Sequence, residues 1–280
     1  MKYLTSIVFI FYSFTLSAQD FYINLQTGYG FATEAGQANY TDLEFIDNVE
    51  IQEIVAGGFG EGIYFRGNLG YQHSEFIAVE FGLNYLLGRT ITTEEKRQEH
   101  GPGGALFIAS TTSRNLNALI FTPQLVVLIP TTSTVKPYIK TGLAFGTFMN
   151  AKFEEAYNTD NNMFIQIDRN TEDSFSGGTP LGFIMALGAK SMVSETIAFT
   201  IDFNLLNMTY RPHTGTVTKF EENGSNELEN LTIREREIIF NNKIENNSSV
   251  TPDENEPLRA LPISLPMSNV TFNIGLQIDL

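Results

Sequence analysis

The sequence contains no cysteine and no tryptophan in 280 residues. Without cysteine the chain cannot form disulfides, a zinc–thiolate site or a thiol nucleophile, and it has no lipobox-type lipid anchor. Basic residues are also scarce, since 17 Lys and Arg stand against 32 Asp and Glu and give a formal net charge of −15. We therefore expect no nucleic-acid partner, because phosphate binding requires a basic protein surface.

Long hydrophobic runs are missing as well, except at the start of the chain. The first eighteen residues, MKYLTSIVFIFYSFTLSA, combine Lys2, an apolar run and small residues before Gln19, which is the pattern of a cleaved secretory signal. A membrane anchor is the alternative, but the apolar run is short for a bilayer span. We expect residues 1–18 to be removed and residues 19–280 to form one domain.

The mature chain shows a repeated two-residue alternation of apolar and polar side chains. Such a period places the apolar residues on one face of a β-strand and the polar residues on the other. Eight segments of roughly strand length carry the pattern: 21–31, 59–71, 77–87, 115–130, 137–149, 181–189, 197–205 and 269–280. The apolar phase includes Phe59 in the second segment and Met149 in the fifth. Each segment approaches the ~9–11 residues with which a tilted strand crosses a bilayer.

The segment 115–130, NLNALIFTPQLVVLIP, is apolar but keeps no clean phase. Pro123 lies inside it, and proline cannot donate a backbone hydrogen bond to a neighbouring strand. The sequence therefore predicts an irregularity such as a β-bulge at Pro123.

The links between the segments alternate strictly between long and short. Long polar links occupy 32–57, 90–113, 150–178 and 211–266, whereas the short links lie near 72–76, 131–136 and 193–196. Long links at one end of a barrel and short links at the other are typical of an outer-membrane barrel.

The polar phase of the strands is rich in Gly, Asn, Gln and Thr, and its few charges balance. Arg66, Lys140 and Lys190 oppose Glu80, Asp202 and Asp279. An unpaired buried ion is costly, so this neutrality predicts a charge network inside a narrow barrel. We predict an all-β, eight-stranded antiparallel up-and-down transmembrane β-barrel with long extracellular loops. The alternative is a soluble, lipocalin-like barrel whose apolar face points inward.

The last strand, formed by 269–280, has to pair with the first, because unpaired backbone groups in lipid are costly. Its apolar phase resembles the C-terminal signal that the barrel-insertion machinery recognises, and it comprises Val270, Phe272, Ile274, Leu276, Ile278 and Leu280.

The stretch FTPQLVVLIPTTSTVKPYIKTGLAFG has a proline early in one strand and Pro137, Tyr138 and Gly142 at the start of the next. It resembles the mid-barrel hairpin of a small outer-membrane β-barrel family of Bacteroidetes-type bacteria, related in architecture to OmpA-type barrels. The resemblance implies the outer membrane of a Gram-negative bacterium and contact with outer-membrane lipid and lipopolysaccharide. We expect no peptidoglycan-binding domain of the larger OmpA-type proteins, because nothing follows the last strand. It names an architecture rather than an activity.

Three functions are open at this point. The first is a structural and interaction role, with acidic surface loops and a place as accessory subunit of a larger outer-membrane complex. The second is a narrow, OmpW-like conduit for small or apolar solutes. The third is an envelope enzyme, which we do not expect, because His73, Ser74 and Glu75 are consecutive in a short link and cannot converge on one point. We expect no cofactor; the acidic loops offer oxygen ligands suited to Ca²⁺ but no EF-hand spacing.

Overall fold

A computed structural model describes residues 21–33, 41–46, 49–101, 104–161, 165–244 and 253–280. The segment 1–18 interpreted above as a secretory signal lies outside these residues. Within them, no helix is long and apolar enough to cross a membrane.

The described chain is built almost entirely of β-strands. In chain order the strands are β1 (Phe21–Ala32), β2 (Thr41–Ile46), β3 (Val49–Ile54), β4 (Gly62–Gln72), β5 (Ile77–Gly88), β6 (Ile91–Gly101), β7 (Gly104–Leu128), β8 (Val135–Asn161), β9 (Ile165–Ser176), β10 (Leu181–Met192), β11 (Ile197–Asn207), β12 (Thr209–Tyr210), β13 (Thr214–Glu222), β14 (Ser225–Asn226), β15 (Glu237–Phe240), β16 (Leu258–Ala260), β17 (Leu265–Pro266) and β18 (Asn269–Asp279). Before β15 the chain forms a short 3-10 helix (Leu228–Asn230) and one helical turn, α1 (Ile233–Arg236).

Eight of these strands close into a barrel. The barrel order is β1, β4, β5, β7, β8, β10, β11 and β18, and each strand is antiparallel to its neighbours. The last strand pairs with the first along its whole length, from Tyr22 opposite Asp279 to Ala32 opposite Asn269. The predicted eight-stranded antiparallel barrel and the predicted pairing of its first and last strands are therefore confirmed.

The long links form a second structure, continuous with the barrel. Strands β7 and β8 are 25 and 27 residues long and continue past the barrel, where they pair with β6 and β9. We call this extension the outer sheet; it contains β16, β15, β13, β9, the far halves of β8 and β7, β6, β2 and β3, in that order.

The last long link, 211–266, also has structure of its own. The sequence predicts a short helix or a continued hairpin over 228–244, and the chain forms both, since α1 leads directly into β15. A capping box starts α1, in which the Thr232 side chain accepts from the Glu235 backbone N–H and the Glu235 side chain accepts from the Thr232 N–H. This arrangement satisfies two backbone donors that have no partner inside the helix.

The bulge predicted at Pro123 is misplaced. Phe121 pairs with Phe145 and Gln124 with Gly142, so the residue count is the same on both strands across Pro123. Proline removes a donor there without adding a residue. The register shifts instead between Leu119 and Ile120, where the opposite strand holds the additional residue Thr147. The Thr147 hydroxyl donates to the Leu119 carbonyl oxygen at 3.0 Å.

Two residues lie on the opposite face from the one that the alternation predicts. The bulge explains the first case, and the position at which β4 begins explains the second. After Thr147 the phase of β8 is inverted, so Phe148 is exposed and Met149 is buried, opposite to expectation. Phe59 is also buried rather than exposed, because it precedes β4 and packs on Phe153 with parallel rings 5.9 Å apart.

Candidate functional site

The centre of the barrel holds a buried ion pair. Lys140 on β8 donates to Glu80 on β5 at 2.7 Å, and the side chains are only 4% and 2% exposed. The second oxygen of Glu80 accepts from the Tyr22 hydroxyl at 2.8 Å. The Tyr22 ring has room only because Gly70 lies beneath it, since a Cβ at Gly70 would come within 2.1 Å of the ring. A glycine of the polar phase is thus explained by the narrow interior.

Asp202 on β11 is the second carboxylate of the interior, and it is saturated with donors. Tyr138 donates to it at 2.9 Å, Gln26 at 2.7 Å and Asn273 at 2.8 Å, while Asn204 on the same strand donates to it as well. These donors come from four different barrel strands. A buried carboxylate is tolerated only when its oxygens are hydrogen-bonded in this way.

The other charged residues of the predicted network also lie inside the barrel. Arg66 on β4 is buried, interacts electrostatically with Asp202, and lies 5.3 Å from the Tyr64 ring centroid. Lys190 on β10 is buried, and Asp279 on β18 is the opposite charge that acts most strongly on it. Asp279 is half-buried and accepts from Gln277 at 2.7 Å.

Apolar layers lie above and below this polar centre. At the short-turn end, one layer consists of Tyr22, Ala78, Val126, Leu128 and Tyr138. Towards the outer sheet, a larger cluster fills the interior: Phe59, Tyr64, Leu86, Ile91, Leu116, Ala118, Ile120, Ala144, Met149, Ala151, Phe175, Ile184, Leu206, Met208, Tyr210, Leu265 and Met267. Between the lower layer and the Glu80–Lys140 pair lies a cavity of ≈ 10 Å³, enough for about one water.

The outer surface of the barrel is apolar on every strand. Large hydrophobic side chains alternate outward along each strand, and Phe65, Phe81 and Phe203 are all more than half exposed. The residues interpreted as a C-terminal insertion signal belong to this surface, since Val270, Phe272, Ile274, Leu276, Ile278 and Leu280 are all exposed.

The outer sheet differs from the barrel because its surface is polar and charged. Lys152 on β8 donates to Glu172 on β9 at 2.7 Å, and this hydrogen bond lowers the pKa of Glu172. Arg169 pairs with Glu222 at 2.8 Å. Asp173 is half-buried, and burial, with a smaller contribution from the Glu155 charge, raises its pKa above the ordinary 3.8.

Replacing Asp173 with asparagine is expected to stabilise the folded protein at neutral pH. Because the folded-state pKa is raised, the ionised carboxyl opposes folding above that value, and the penalty disappears below 3.8, where both states are protonated. The gain of Asp173→Asn over the unchanged chain should therefore be present at pH 7 and vanish on acidification. Urea unfolding in detergent micelles at several pH values measures it. Asp168→Asn, at an exposed site on the same strand, serves as control, and an equal gain from both variants would refute this explanation.

The short link with His73, Ser74 and Glu75 is a tight turn at the barrel mouth. The Ser74 hydroxyl accepts from the backbone N–H groups of Phe76 and Ile77, at 3.3 and 3.2 Å. Its oxygen therefore stabilises the turn between β4 and β5. In the part of the chain that the structure describes, no group of three or more His, Asp and Glu side chains is placed to hold a metal ion.

Some members of the polar network were missed by sequence reasoning. Tyr22 and Tyr138 donate to the two central carboxylates, and Tyr22 lies in the polar phase of β1, which is a signal for an inward hydroxyl. Near the outer sheet, Glu61 accepts from Arg89 at 2.6 Å and from Tyr29 at 3.0 Å. Glu61 and Arg89 lie at strand ends, outside the clean alternation, so the pattern gave no signal for this pair.

These observations define the class of protein: a closed eight-stranded antiparallel β-barrel with a packed, hydrogen-bonded interior and an apolar exterior. No family model and no curated protein matches the sequence. One solved structure with which the chain shares similarity is the crystal structure of Neisserial surface protein A (NspA), at 9% sequence identity and a TM-score of 0.35. That alignment covers 94% of this chain and 98% of NspA. At these values the comparison carries no weight, and the fold rests on the strand pairing of the chain itself.

Proposed function

We propose that this protein is an integral β-barrel of the outer membrane of a Gram-negative bacterium, with a structural and interaction role. The observation that carries the proposal is the distribution of side chains on the closed barrel. Exposed aliphatic and aromatic residues cover the outside of all eight strands, whereas Glu80, Lys140, Arg66 and Asp202 are buried inside. An apolar band outside and a polar interior are the arrangement of transmembrane barrels.

The same distribution argues against the soluble, lipocalin-like alternative. A soluble barrel would turn Phe65, Phe81 and Phe203 inward, but these rings lie on the outer face. A continuous apolar band is far larger than the patches that soluble monomers normally expose. Such a surface is suited to contact with the acyl chains of lipids.

The interaction role is supported by the contrast between the barrel and the outer sheet. The barrel interior is filled with mutually satisfied polar groups and apolar layers, so it offers little space to a solute. The outer sheet instead presents charged side chains and strand edges to its surroundings. We therefore propose that the chain acts through its outer sheet, as accessory subunit of a larger outer-membrane assembly, and that it has no catalytic activity.

Export and membrane insertion follow from the two ends of the sequence. Residues 1–18 act as a cleaved export signal, and the terminal strand is recognised by the barrel-insertion machinery. The partners are outer-membrane lipid, lipopolysaccharide and other outer-membrane proteins. Membership of the Bacteroidetes-type barrel family also belongs to the proposal. The formal charge of −15 is consistent with the absence of a nucleic-acid partner.

Membrane fractionation followed by mild-detergent pull-down tests the proposal. The native protein is expected in the outer-membrane fraction, resistant to carbonate extraction, and associated with at least one other envelope protein. Recovery as a water-soluble monomer would overturn the membrane assignment. Recovery of only the isolated barrel, together with an unchanged envelope in a deletion strain, would overturn the interaction role.

Planar-bilayer recordings distinguish the interaction role from the conduit. The purified barrel is expected to show little conductance, because eight strands enclose just enough space for their own side chains and both ends carry apolar layers. A general porin recorded in the same bilayers serves as positive control. Large, stable openings would favour the narrow conduit instead.

A further inference from the structure

One edge of the outer sheet ends in a strand with an unpaired side. β3 pairs with β2 through six residue pairs, from Thr41 opposite Ile54 to Ile46 opposite Val49. Among the described residues no strand pairs with its other side, and β3 is the last strand of the sheet. Every second residue of such an edge directs its backbone N–H and C=O outward, which is a template for another strand.

The edge carries two charged side chains, Glu50 and Glu53, but none of the other devices by which proteins block strand addition. The pairing with β2 runs without a bulge, and β3 contains neither lysine nor proline. Its side chains are exposed on both faces, and the apolar ones are large: Val49 is 59% exposed, Ile51 55% and Ile54 75%. Two carboxylates repel an acidic strand but attract a basic one, so this edge remains open to a basic partner.

The charges of β3 and of its own link favour a basic partner. The link 32–57 contains six carboxylates and no Lys or Arg, and two of the carboxylates, Glu50 and Glu53, lie on β3 itself. A second copy of the chain is a poor match, because its own edge is equally acidic and its link 32–57 supplies no Lys or Arg to oppose Glu50 and Glu53. Like charges directly opposite each other are destabilising, whereas opposite charges stabilise.

We propose that the outer edge of β3 binds an extended, basic segment of another protein by β-strand addition. Backbone hydrogen bonds supply affinity in this mode, and side chains supply specificity. The bound strand carries Lys or Arg opposite Glu50 and Glu53, and β-branched or aromatic residues opposite Val49 and Ile51. This inference rests on the proposed interaction role and identifies its surface and the chemistry of its partner.

Binding of short synthetic peptides to the purified barrel in nanodiscs tests the inference. A peptide with lysines opposite Glu50 and Glu53 and valines opposite Val49 and Ile51 is expected to bind. The same peptide with N-methylated backbone amides, and a version with glutamate in place of both lysines, are expected not to bind. Glu50→Lys with Glu53→Lys should weaken the lysine peptide on the order of tenfold and strengthen the glutamate peptide, because two cross-strand pairs change sign. Binding that ignores N-methylation or the charge reversal would overturn strand addition.

The absence of native cysteine allows the register to be tested directly. Gln52→Cys is expected to form a disulfide with a cysteine in the middle of the lysine peptide. Glu154→Cys, at an exposed site in the interior of the outer sheet, is the matched control and should not react faster than a free thiol. A disulfide between two Gln52→Cys chains in place of the peptide adduct would show that the partner is a second copy, contrary to the proposal.

These outcomes are separable from failure of the proposed function. A barrel that inserts into nanodiscs and co-purifies with envelope proteins, yet binds no peptide at β3, refutes only the edge site. A chain that never enters the bilayer refutes the membrane proposal first.

Discussion

Replacing Glu80 with alanine is expected to destabilise the folded barrel by about 3–5 kcal/mol, the usual cost of breaking a buried ion pair from one side. The variant leaves the Lys140 ammonium group, 4% exposed, without the carboxylate it contacts at 2.7 Å. It also removes the acceptor of the Tyr22 hydroxyl. Equilibrium unfolding in urea, with the barrel reconstituted in lipid vesicles, measures the change.

The matched control removes both charges. Glu80→Gln combined with Lys140→Met keeps approximate shape and a hydrogen-bond acceptor for Tyr22 but leaves neither charge of this pair. Replacing a buried pair as a whole is often close to neutral, so the double variant should recover most of the lost stability. A double variant as unstable as Glu80→Ala would show that packing, and not the uncompensated charge, dominates at this position.

Replacing Leu187 with arginine is expected to destabilise the barrel by about 2–4 kcal/mol, because a cation at the bilayer midplane of a transmembrane barrel must leave water. Leu187 lies near the middle of β10, on the outer face, and is 59% exposed in the protein alone. Urea unfolding in lipid vesicles provides the measurement.

A control is provided by a leucine that is equally exposed but that we expect to face water and not lipid. Leu261 is 61% exposed and lies between β16 and β17, outside the barrel strands. Leu261→Arg is expected to change the free energy of unfolding by no more than about 0.5 kcal/mol, as for most surface substitutions. Equal, small effects at the two sites would mean that Leu187 faces water, which contradicts the membrane proposal.

The barrel was predictable from sequence because its strands separate two environments cleanly. In β18, for example, Phe272 and Ile274 are exposed while Thr271 and Asn273 are buried, so the pattern alternates without exception over that stretch. The inward position of the charged residues in the polar phase could be predicted for the same reason.

Segment 115–130 gave no clean phase because both of its faces are apolar. Phe121 and Leu125 point outward, while Leu116, Ile120 and Val126 belong to the apolar layers of the interior. When both faces of a strand are apolar, the hydrophobic pattern does not show which face points inward. The apolar layers at the ends of the barrel could therefore not be predicted from the sequence. The inward position of Met149 could not be predicted, because it results from a bulge and no feature of the sequence marks the extra residue, Thr147.

The outer sheet was missed as regular structure because water solvates much of its surface. Lys152, Glu154 and Glu172 lie on strands, yet in sequence they resemble a polar loop. Their strands are held by backbone pairing along β8 and β9. The ion pair between Arg89 and Glu61 could not be predicted from the sequence either, because it joins strand ends separated by 28 positions.

If the barrel spans a membrane as proposed, the lengths of β7 and β8 determine how far from the lipid a partner protein docks. Twenty-five and 27 residues extend roughly 80 and 90 Å along the strand at ~3.3 Å per residue. A strand crosses the hydrocarbon core with only about 9–11 residues, so in the proposed orientation more than half of each strand lies outside that core. β6 pairs with that projecting portion of β7, and β2 lies beside β6, so the open edge stands well above the membrane plane. In that orientation, a partner protein too large to approach the membrane surface still reaches this edge.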